Sequence, residues 1–112
     1  MERNNADEVD GLDWLDGDEV VVAVLSGVGA SLVATNQRVV IVREGADFRP
    51  RNGVQSWAYT RIIGVSLSPP MRGQAVIVIR TGRYPWQAVT MFFESRLRTE
   101  AERVIGQIRQ RL

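Results

Sequence analysis

The run LVATNQRVVIV, Leu32 to Val42, decides the fold. Two short β-branched, apolar stretches flank Asn36-Gln37, and Asn accepts turn backbone that most residues resist. That is the signature of two strands joined by a tight turn. Upstream, Gly27-Val28-Gly29 separates a further run, Val20–Ser26, from Ala30–Asn36. Downstream, Arg38–Arg43, Val54–Tyr59, Ile62–Ser68, Ala75–Thr81 and Gln87–Phe93 complete seven expected strands. The breaks hold Pro50, Asn52-Gly53, Pro69-Pro70, Gly73, Gly82 and Pro85, residues that end regular structure. Most connections are too short for parallel crossovers, so the strands pair as antiparallel hairpins.

After Ser95 the period changes. Leu97, Ala101, Val104, Ile105, Ile108 and Leu112 recur at helical spacing, with Arg98, Arg103, Arg109 and Arg111 elsewhere on the cylinder. One amphipathic helix therefore closes an all-β body. Its start is expected at Ser95, or at Thr99, which has capping-box spacing with Glu102. Gly106 inside it costs about 1 kcal/mol relative to Ala, which points to close approach of the helix to a strand.

The chain has 112 residues with no Cys and no His, so thiol nucleophiles, disulfides, Cys/His zinc sites, His-based triads and histidine pH switches are excluded. One domain of this size buries roughly two-thirds of its unfolded surface. All 14 basic residues are Arg. Residues 1–19 hold eight carboxylates and one Arg, whereas residues 20–112 hold thirteen Arg and five carboxylates. The division expected is an acidic, disordered tail over 1–12 and one domain over 13–112. Trp14 and Leu15 sit among acids as a lead-in turn packing on the domain edge. No signal peptide or lipidation motif is seen, which makes a cytoplasmic location the expectation. The uncharged run Val20–Gln37 is cut by Gly27 and Gly29, so it reads as two strands and not as a membrane span.

Several motifs occur in a familiar order: Gly17-Asp18-Glu19-Val20, then the Thr35-Asn36-Gln37-Arg38-Val39 hairpin, then Trp57-Ala58-Tyr59 leading to Ile62-Ile63-Gly64-Val65. Met91-Phe92-Phe93-Glu94-Ser95 then leads to the helix. Over residues 17–112 the chain resembles the bacterial pleckstrin-homology-like domains, a group close to GRAM domains. The resemblance implies a mainly β protein with one C-terminal α-helix. Its seven strands would form a partly open barrel of two orthogonal antiparallel sheets, strands one to four and five to seven, capped by the helix. It also implies a non-catalytic module that binds lipid head groups, peptides or other proteins.

Phosphoinositide-binding pleckstrin-homology domains place cations on and just after the first strand, around the first hairpin, but Val21 to Ala30 carries none. Gly27-Val28-Gly29 opens a strand and lacks the glycine spacing of a phosphate loop, so a hairpin turn explains it. Arg38, just past the second hairpin, is suited to bonding turn carbonyls or a carboxylate. Arg43, Arg49, Arg51, Arg80 and Arg83 could form an anion-binding surface, with Arg49-Pro50-Arg51 able to grip a phosphate or carboxylate bidentately. The stretch Arg80 to Trp86 interleaves cations and aromatics as single-strand binders do, yet a turn explains it, and no nucleic-acid-binding signature occurs. Asp16, Asp18 and Glu19 begin like a calcium loop that the following residues do not continue. No constellation of carboxylates suits acid–base catalysis, so no enzyme, metal or cofactor is expected.

Strand faces give the remaining signal. A half-solvated antiparallel strand alternates apolar and polar residues, whereas Val20–Leu25, Ala75–Ile79 and Ala88–Phe93 are apolar on both sides. One core cannot cover both faces of all three strands. Val22, Val24, Val76, Val78 and Phe92 are the expected contact residues for self-association or another protein. The alternative is an anionic membrane surface or other anionic ligand held by the arginines.

Overall fold

The computed structural model describes residues 14–43, 53–69, 71–82 and 87–112. The expected acidic tail, Arg49, Arg51 and Arg83 lie outside the described residues. Seven strands are present among the described residues: β1 Val21–Ser26, β2 Ala30–Thr35, β3 Arg38–Arg43, β4 Val54–Ala58, β5 Gly64–Leu67, β6 Gln74–Arg80 and β7 Ala88–Glu94. The helix α1, Arg98–Arg109, follows a 3-10 turn at Ser95–Leu97. β1-β2-β3-β4 form one antiparallel sheet and β5-β6-β7 a second. α1 lies over β1 and β5.

The core follows from strand alternation. Leu25, Leu32, Ile41, Ile77, Ile79, Met91 and Phe93 are fully buried between the sheets. α1 adds Ala101, Val104, Ile105 and Ile108, the stripe legible in the sequence. Each buried aliphatic or aromatic side chain contributes about 1.5–3 kcal/mol relative to exposure. The opposite face of the first sheet carries a second cluster of Val33, Val40 and Val42, against which Trp14, Val21, Val24 and Val54 pack. All six residues of β2 are therefore buried.

β1 corrects a sequence-based expectation. Its pairing with β2 shifts between Val21 and Ala23, so one extra residue enters the strand as a bulge. Alternation restarts there: Val22 and Ala23 both pack on the main core, while Val21 and Val24 pack on the second cluster. Val22 and Val24 therefore do not share a face, and simple parity fails at this point.

Gly27 is where the first hairpin crosses the second sheet. Its neighbour Val28 donates its N–H to the Phe92 carbonyl at 2.8 Å. A Cβ at Gly27 would lie 2.7 Å from that carbonyl oxygen and 2.7 Å from the Met91 sulfur. The backbone oxygen cannot yield as a side chain would, so Gly27→Ala is expected to cost about 1–3 kcal/mol, read as a lowered midpoint in urea unfolding.

The helix start departs from the capping box. Leu97 is the N-cap and no side chain caps the helix. Thr99 falls inside α1, and Glu102 instead accepts a hydrogen bond from Arg98 Nε at 3.2 Å. Nothing lies within 4 Å of a Cβ built on Gly106, so no strand approaches it closely. It borders an open groove of about 240 Å³ with Leu67, Glu102, Ile105 and Arg109.

Candidate interaction surface

Three of the sequence-predicted contact residues are brought together by the second sheet. On β6, Ala75, Ile77 and Ile79 point into the core, leaving Gln74, Val76, Val78 and Arg80 on the outer side. On β7, Met91 and Phe93 are buried and Ala88, Thr90, Phe92 and Glu94 are exposed. The register sets these outer residues in rows: Arg80 beside Ala88, Val78 beside Thr90, Val76 beside Phe92 and Gln74 beside Glu94. Ser66 of β5 extends the Val78 row.

Phe92 is 50% exposed, and Val28 at the neighbouring hairpin tip is 51% exposed. Their backbones are hydrogen-bonded, so the apolar strip continues onto the hairpin. Val28 carries no such signal in the sequence, where Gly27-Val28-Gly29 reads as a turn. Val22 and Val24 are not part of this strip.

The anion-binding set is not assembled as one site among the described residues. Arg43 donates Nη2 to the Thr90 carbonyl at 3.2 Å, capping an outward acceptor on the edge of β7. Arg80 is exposed at one end of the outer face. A separate concavity of about 460 Å³ is lined by Thr60, Arg61, Ile63, Thr81, Gly82 and Gln87. Among the described residues, Arg61 is its one ionisable lining group. No group of three or more potential metal-ligating residues occurs among the described residues. No described helix is long and apolar enough to cross a membrane.

The strongest polar cluster serves architecture. Arg38 Nε and Nη2 bond both carboxylate oxygens of Glu19 at 2.8 and 2.9 Å. Nη2 also reaches the Trp14 carbonyl at 2.9 Å, and the guanidinium lies 5.0 Å from the Trp14 ring centroid. Thr35 donates its hydroxyl to Glu19 at 2.6 Å. The Arg38 bond, acting against burial, holds the Glu19 carboxyl at about 2, with the Thr35 and Asp16 donors assisting. Asn36 receives the Val20 N–H at 2.8 Å, and Tyr59 donates to the Thr35 carbonyl. Burial raises the Tyr59 phenol above its ordinary value. The Asp-Glu-Val and Thr-Asn-x-Arg-Val motifs thus meet in space to tie the lead segment to the β2–β3 hairpin.

No protein-family model matches the chain, and no curated protein matches it. Among solved structures, the chain is similar to the crystal structure of a pleckstrin homology domain from Shewanella amazonensis SB2B, with a TM-score of 0.57 and 13% identity. The match covers 84% of this chain and 86% of that one. The two antiparallel sheets, their strand order and the terminal helix accordingly make this a pleckstrin-homology-like domain in fold.

Proposed function

We propose that the domain is a non-catalytic binding module acting in the cytoplasm, and that it associates with protein through the outer face of β5–β7. The observation that carries this reading is the in-register strip of Val76, Val78 and Phe92, continued by Val28. A half-exposed Phe framed by aliphatic side chains and by the hydroxyl residues Ser66 and Thr90 has the make-up of an interface anchor and rim. The expected Val22 and Val24 drop out, because β1 turns them onto packed faces.

Phe92→Asp is expected to abolish association, and the double substitution Val76→Asp, Val78→Asp to do the same. Thermal unfolding of Phe92→Asp should stay close to that of the parent chain, since the side chain is half in solvent. Sedimentation velocity and pull-down against any captured partner provide the readout. Association that survives both variants would sink the reading. Binding to anionic vesicles that falls steeply with salt and persists in Phe92→Asp would favour an arginine surface instead.

A further inference from the structure

We infer that the partner on this face is a second copy of the chain, docked about a two-fold axis so that the two β6 strands run antiparallel. The inference rests on the association reading above and names its partner. The reason lies in the charges bordering the apolar strip. The outer rows run Arg80/Ala88, Val78/Thr90, Val76/Phe92 and Gln74/Glu94. A cation stands at one end and a carboxylate at the other, roughly 20 Å apart along the strands at about 3.4 Å per residue.

A two-fold axis midway between the Val78 and Val76 rows carries each end onto the other. Arg80 then meets Glu94 of the second copy at both ends, and the apolar rows cover one another. The parallel arrangement would gather both Arg80 side chains at one end and both Glu94 side chains at the other, so the charge order selects orientation as well as partner. Arg80 makes no ion pair among the described residues. Glu94 is engaged by Arg96 at 2.8 Å, but the two side chains are 56% and 74% exposed, and such a surface pair is readily exchanged. Sheets pack face to face with strand directions within about 30°, which this docking respects. An interface built on a two-fold axis is also closed and yields a dimer.

The experiment is a charge swap read by sedimentation velocity at low and high salt. Arg80→Glu and Glu94→Arg each place like charges at both ends and are expected to weaken the dimer at least ~10-fold at low salt. Mixing the two single variants should restore dimer, because one chain then carries two carboxylates and the other two cations. The double variant Arg80→Glu, Glu94→Arg should also restore it. Four exposed-surface readouts thus have to agree, and misfolding of one variant cannot imitate rescue by mixing.

A parent chain that stays monomeric at all concentrations would overturn the inference. So would single variants that associate as the parent does. If Phe92→Asp abolishes association while the charge variants leave it unchanged, the face stands and the antiparallel second copy falls. Dimer lost in the singles and recovered in the mixture supports both.

Discussion

Glu19→Ala is expected to lower the unfolding free energy by about 3 kcal/mol, because it leaves the Arg38 guanidinium facing a cavity without its counter-charge. The Glu19 side chain is fully buried, and its carboxylate takes bonds from Arg38, Thr35 and the Asp16 backbone. The same network sets a pH dependence. The folded-state value, about 2, lies below the ordinary 4.5, so the native protein holds this proton less tightly than the unfolded chain. The stabilisation is fully present above about pH 4.5 and is lost as pH falls through about 2. A depression of that size corresponds to roughly 3 kcal/mol. Urea unfolding from pH 7 to pH 2 should show the loss in the parent chain and a much flatter profile in Glu19→Gln. An unchanged profile in that variant would assign the acid sensitivity elsewhere.

Phe93→Ala is expected to cost about 3–5 kcal/mol, whereas Phe92→Ala, one residue away, should change stability by no more than about 0.5 kcal/mol. Phe93 is fully buried where the two sheets meet, and Phe92 is half exposed on the outer face. The contrast follows from the two-residue period of a strand, which sends neighbours to opposite sides. Association should report the reverse order, with Phe92→Ala weakening it while Phe93→Ala acts only by unfolding the domain. Paired urea denaturation and sedimentation curves on the two variants check both halves. Equal destabilisation would mean that β7 is turned relative to the sheet described above.

How far the sequence reveals this depends on the range of the interactions involved. Strand order, the first two hairpin turns and the helical stripe are local patterns, and Leu32–Val42 alone holds two strands and the turn between them within eleven residues. The Arg38 contact was also legible, since an Arg past a turn has few other uses. The β1 bulge was not, because Val21, Val22 and Ala23 are all apolar and no polar residue marks the change of parity. The face assignment of Val22 and Val24 consequently failed, while Val76, Val78 and Phe92, in unbulged strands, fell on one side as alternation requires. Val28 joined them only through the tertiary contact that brings the first hairpin to β7. The missing helix cap has a similar origin: the 3-10 turn at Ser95–Leu97 feeds directly into α1, displacing Thr99 from the terminal position.

Arg109 gives the domain a gated sheet edge. From the last turn of α1 it donates Nη2 to the Val65 carbonyl of β5 at 2.9 Å, occupying an acceptor that an added strand would need. An extended peptide approaching β5 must therefore compete with a group tethered to the same molecule, at an effective concentration no free ligand readily matches. The helix is here a resident competitor that blunts the β5 edge against strand addition.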